Sequence, residues 1–104
     1  MATKRAYVYK DSGLFDSYKV FPPVIVIEQN DKFELVNTVA DHEAILTIPD
    51  GPFVRGAVNG EHVGKKDKST TKTPKPGPAA VEYEVKVDGH KAHGNSDPVI
   101  IIDM

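Results

Sequence analysis

The sequence predicts an all-β domain of the sandwich or barrel type, and three observations carry that prediction. Short runs rich in Val, Ile, Tyr and Phe recur about every ten residues between Gly, Pro, Asn and Asp punctuation. One segment, Val81-Glu82-Tyr83-Glu84-Val85-Lys86-Val87, alternates apolar and charged residues without error, the period of a strand with one buried face. No stretch carries a long helical periodicity.

The elements follow in order. Residues 6–9 and 18–21 are the first two strands. Pro22-Pro23 interrupts the ladder next, because proline has no N–H to donate, and predicts a bend or a change of sheet. Strands at 24–28, 32–37 and 43–48 come after it; the run Val24 to Ile27 is continuously apolar, as in a strand covered on both faces or lying centrally. Asn59-Gly60 predicts a hairpin between strands 54–58 and 61–65, since both residues accept the positive φ of a type I′ turn. The alternating strand 81–87 turns Val87 inward, and a second apolar run, Val99 to Ile102, opens the last strand, 99–103. Residues 64–80 hold five lysines against one aspartate with several prolines, and read as a flexible, solvated loop of one domain spanning residues 1–104. A contact of that loop with an anion, an acidic partner or nucleic acid is the alternative to plain solubilisation.

Composition narrows the function classes. A chain of 104 residues folds with roughly 60–70% of its unfolded surface removed from water, enough for one continuous core. The absence of cysteine excludes disulfides, thiolate metal sites and cysteine nucleophiles. Thirteen Lys+Arg against fifteen Asp+Glu give a net charge of −2, which provides no global field toward nucleic acid or anionic lipid. No apolar run reaches the roughly 18–20 residues of a membrane span, so no membrane insertion is expected. The compartment stays open: periplasmic or secreted if a signal peptide has been removed, otherwise cytoplasmic. Oligomeric state is also left open.

Three segments in order resemble the cupredoxins, small copper-binding Greek-key β-sandwiches. Pro23 to Asn37 is similar to the family's strand, polar turn and strand ending in Asn. Asn37-Thr38-Val39-Ala40-Asp41-His42 reproduces the spacing from that Asn to the first copper histidine. Tyr83 to Ile102 resembles the last two strands and the ligand loop between them, with Tyr83 and Val85 in the motif's first two places, Val87 where the thiolate ligand stands, His90 in the place of the second histidine and Asn95 near the methionine position. The resemblance covers about two thirds of the chain and implies a cupredoxin-like Greek-key sandwich.

It does not imply electron transfer. A blue-copper centre is built on a His₂Cys set, and valine has no lone pair to replace the sulfur. Imidazoles alone still suit Cu(II) or Zn(II), so His42, His90 and His93 form a candidate divalent-metal site, with Asp41 or Asp97 as an added oxygen ligand. The simpler reading makes Asp88-Gly89 a two-residue hairpin turn, with His90 opening the return strand and the histidines exposed. His62 falls in a predicted strand as a plain surface residue.

Catalytic patterns are absent. The serines lack a strained nucleophile turn, no glycine-rich phosphate loop precedes a helix, and Glu82 and Glu84 lie on a solvent face. The expectation is a non-enzymatic, non-redox binding or accessory domain without cofactor, directed at a protein partner, with the copper- or zinc-binding domain as the alternative. The loops at 38–42, 50–53 and 88–97 would form one end of the sandwich, where Phe53 is either an exposed anchor or a buried side chain under its loop. An immunoglobulin-like sandwich is the remaining rival, and it would put His42 and His90 at opposite ends.

Overall fold

Phe33, Phe53 and Tyr83 meet at the centre of one apolar core, with ring centroids 6.0 Å apart for Phe33–Phe53 and 5.6 Å for Phe33–Tyr83. A computed structural model describes residues 2–12, 16–49, 53, 58–92 and 97–103. Among them there is no helix, hence none long and apolar enough to cross a membrane, and the strands form three sheets in a sandwich-like arrangement. The radius of gyration is 13.1 Å, close to the value of about 13 Å for a compact chain of this length.

The first sheet has the order β2-β1-β4-β7, from β1 (Thr3–Ser12), β2 (Asp16–Phe21), β4 (Lys32–Asn37) and β7 (Lys68–Lys72). The second has the order β3-β11-β8, from β3 (Val24–Glu28), β8 (Ala79–Glu82) and β11 (Val99–Asp103). The third has the order β10-β9-β5-β6, from β5 (Ala44–Ile48), β6 (Val58–Val63), β9 (Glu84–Val87) and β10 (His90–Lys91). Two pairs are parallel, β1 with β4 and β3 with β11, and the rest are antiparallel.

Pro22-Pro23 behaves as expected, for β2 lies in the first sheet and β3 in the second. The apolar run of β3 does not. Ile25 and Ile27 are buried while Val24 and Val26 are 49% and 51% exposed, because β3 is an edge strand with only one face on the core. The same kind of run in β11 is central, between β3 and β8.

Three further differences have local causes. The strand expected over 81–87 keeps its alternation but changes sheet at Tyr83: β8 pairs with β11 and β9 with β5, while Tyr83 N–H donates to Pro98 O at 2.9 Å. Asn59-Gly60 is not a hairpin turn. It lies within β6, where Leu46 faces Glu61 and Ile48 faces Val58, so two residues oppose Thr47 alone. The positive φ of Gly60, 68°, serves this β-bulge instead of a turn. The strand expected at 61–65 therefore ends with Val63, and residues 54–57 lie outside the described residues.

Finally, the segment 64–80 is not loop throughout. Lys68–Lys72 pairs antiparallel with β4, because Ser69, Thr70 and Thr71 suit a strand and the lysines protect an outer edge. Phe53 is 1% exposed and bridges to Pro74, so it belongs to the core and is not an exposed anchor.

Candidate functional site

β4 ends in Asn37, which organises one end of the molecule. Its side chain is fully buried; Nδ2 donates to His42 O at 3.0 Å, and lies 3.4 Å from Val63 O and 3.3 Å from Gly64 O, while Oδ1 accepts from Val39 N–H at 3.1 Å. Thr38 adds two bonds to Val8 O, from its N–H at 2.9 Å and its hydroxyl at 2.6 Å. Lys66 N–H and Asp67 N–H close the other side, on Val39 O and Asn37 O. A short amide that bonds several backbone groups at once replaces a regular ladder here, and it holds the 38–42 segment between β1 and β6.

His42 is the imidazole that this segment presents. Its ring meets Tyr18 edge-on, with centroids 6.4 Å apart and planes at 85°. Nε2 lies 3.8 Å from Asp41 Oδ2 and 3.9 Å from Asp88 Oδ2. Neither distance is a hydrogen bond, and both carboxylates are well exposed, so water screens the attraction.

The Asp88 carboxylate comes from the turn that joins β9 to β10. Asp88 and Gly89 have φ of 52° and 78°, the positive pair of a type I′ turn, and His90 opens the return strand opposite Val87. Paired residues of an antiparallel ladder share a face, so His90 leaves the sheet on the side of Val87, which also faces Ala44 across β5. Val87 is completely buried, as the strand phase predicts, and His90 is exposed.

His42 and the His90 turn thus lie at the same end of the molecule. His93, together with Asn95, lies outside the described residues, as do positions 50–52 of the expected end loops. Among the described residues no three His, Asp or Glu side chains are grouped closely enough to hold a metal ion. His62 stands on the edge strand β6 across from Ile45, with Nδ1 2.8 Å from Glu43 Oε2 in an exposed pair.

The donor set does not fit a redox copper centre of the His₂Cys type, because the chain has no cysteine and the inward positions of β9 are Val85 and Val87. Tyr18 and Asp88 are the neighbours of His42 that sequence reasoning did not find. Tyr18 reaches His42 through sheet packing, which leaves no local signal, whereas Asp88 is visible only as a turn residue. The opposite end is tied differently: Asp31 accepts from Ala2 N–H at 3.0 Å and Glu28 N–H at 3.1 Å, and Gln29 bonds Gly77 and Asp103 O.

Two carboxylates elsewhere, Glu34 and Glu61, are held by hydrogen bonds between strands. Ser69 and Arg5 donate to the Glu34 carboxylate; the Ser69 bond, against a smaller opposing effect of burial, leads in holding its pKa below the ordinary value. For Glu61 burial pushes upward, but bonds from Lys72, at 2.6 Å, and Thr70 outweigh it and hold the carboxyl below its ordinary range. Compared with known proteins, the chain matches no protein-family model, and no curated protein matches it.

Proposed function

We propose that this chain is a non-redox, cupredoxin-like Greek-key sandwich that serves as a binding or accessory module with a protein as its partner. The observation that carries this reading is Val87: it is fully buried on the sheet face it shares with His90, in the place that the resemblance gives to the thiolate. The parallel pairings β1–β4 and β3–β11, the passage of the chain between sheets at Pro22-Pro23 and at Tyr83, and the Asn37 bond to the His42 backbone support the same reading. No catalytic role enters it.

Restoring the sulfur tests the reading directly. The native chain with Cu(II) develops no intense visible band, whereas Val87→Cys, a small change of volume at a buried site, develops a strong thiolate-to-copper absorption. A Val87→Cys protein that folds but binds no copper through sulfur refutes the cupredoxin-like assignment.

A second reading is a divalent-metal site on His42, His90 and His93. It is favoured by the position of His42 beside the turn that carries His90, with two carboxylate oxygens under 4 Å from its Nε2. It predicts about one equivalent of bound Cu(II) with nitrogen hyperfine structure in the EPR spectrum, lost in His42→Ala. A silent titration at neutral pH removes this reading.

A further inference from the structure

The outer edge of β3 is built unlike the edges of the first and third sheets, and it carries larger apolar side chains than β8, the other edge of its own sheet, which reads Ala-Ala-Val-Glu. Edge strand β7 carries Lys68 and Lys72, edge strand β6 carries Glu61 and His62, and edge strand β2 carries Lys19, all charged or titratable groups of the kind that keep strands from pairing between molecules. β3 reads Val-Ile-Val-Ile before its first charge at Glu28. Of its side chains Val24 and Val26 are 49% and 51% exposed; the other exposed large apolar side chains among the described residues, Tyr7 and Phe21, form a cross-strand pair of β1 and β2.

The backbone phase shows what this edge offers. Val99 N–H donates to Pro23 O at 2.9 Å, and Val24 pairs with Val99, so residues 23, 25 and 27 turn their polar groups toward β11. Val24 and Val26 turn theirs away, to the side where β3 has no neighbour in its sheet among the described residues. Glu28 faces the same way, but its N–H and C=O are taken by Asp31 Oδ2 and Asp31 N–H. At the other end Pro22 has no N–H. The free ladder is therefore Val24 to Val26, closed on both sides.

A stretch of this pattern is complementary to itself. We propose that a second copy of this chain pairs its β3 antiparallel to the first about a two-fold axis at Ile25, joining two sheets in the order β8-β11-β3-β3-β11-β8. In this register Val24 of each copy faces Val26 of the other as a doubly hydrogen-bonded pair, and Ile25 faces Ile25. Pro22 then stands opposite Glu28, so the groups that cannot pair oppose one another. No like charges meet within the paired stretch, and the net charge of −2 opposes association little. The exposed apolar side chains of the strand itself, Val24 and Val26, offer on the order of 150 Å² per copy, against about 800 Å² per partner in a standard interface, which makes the dimer weak and concentration-dependent.

Sedimentation equilibrium tests this on the full chain. The apparent mass rises toward twice the monomer value between roughly 10 μM and 1 mM, as a micromolar to millimolar Kd requires. Val26→Lys, at a half-exposed position, keeps the thermal midpoint and stays monomeric over the same range. The chain has no cysteine, so register is read by mixing equal amounts of Val24→Cys and Val26→Cys protein under mild oxidation: cross-linked heterodimers exceed the one-half share of all dimers that random pairing gives. A wild-type monomer at every concentration overturns the proposal, including the case in which the edge accepts only an extended segment of another protein. So does a dimer that survives Val26→Lys, or cross-linking without preference for the heterodimer.

Discussion

Tyr83 is the residue where packing and polarity conflict. It is 2% exposed, stacks edge-on against Phe33, and its hydroxyl is buried with no hydrogen-bond partner among the described residues. Burial raises its pKa far above the ordinary value, so it stays neutral at any working pH. A desolvated hydroxyl without a partner costs about 1–3 kcal/mol, while the ring contributes its full burial. Tyr83→Phe is therefore expected to raise stability by about 1 kcal/mol, measured as a shift of the urea midpoint at constant slope. A loss of stability would mean that the hydroxyl has a partner in solution. Asn37 is the opposite case. It is equally buried, but its amide is bonded from both ends and it sets the backbone that carries His42.

At the scale of elements, β6 and β7 are joined by side chains and not by a ladder. Glu61 on β6 receives Lys72 and Thr70 from β7, which connects the edge of the third sheet to the edge of the first. The folded carboxyl titrates below its ordinary 4.5, so the unfolded chain binds more protons near that pH. Stability from the pair is then complete above about pH 4.5 and is lost as pH falls through the lower folded value. Glu34, held down by Ser69 and then Arg5, acts in the same direction. Glu61→Gln should flatten the acid limb of the stability curve and cost about 1 kcal/mol or less at pH 7, because the carboxylate is partly in water. Denaturant melts at pH 3, 4, 5 and 7 read both effects; an unchanged acid slope would exclude Glu61 as a source of it.

At the scale of the whole molecule the strand directions separate two ends. β4 runs from the Asp31 turn to Asn37, so the 38–42 segment and the Asp88 turn share the end opposite Asn30. If the first end meets a protein partner, a photo-crosslinker at Asp41 forms a discrete adduct in extract of the source cells, and one at Asn30 does not. Equal labelling from both positions would remove the directional reading.

The strand inventory was largely legible in the sequence, because alternation and breakers act over a few residues. The bounds of β3 and β4 and the inward phase of Val87 follow from period and punctuation alone. So did the break at Pro22-Pro23, since a missing N–H is a local fact. Partnering was less legible. Asn59-Gly60 requires a positive φ, but whether that φ makes a turn or a bulge depends on what lies across from Thr47. Ser69 to Lys72 look like solvated chain until β4 supplies a ladder for them.

What the sequence by itself determined is the chemistry: no cysteine, hence no thiolate, and Val87 turned inward at the one position where the resemblance asks for sulfur. Only the tertiary structure decided neighbourhood. The approach of His42 to Asp88 and Tyr18, the change of sheet at Tyr83 and the exposure of Val24 and Val26 all depend on long-range pairing. The physical reason is range. Residue type and strand phase are set within a few peptide units, whereas a contact between residues dozens of positions apart exists only once the sheets have closed on a shared core.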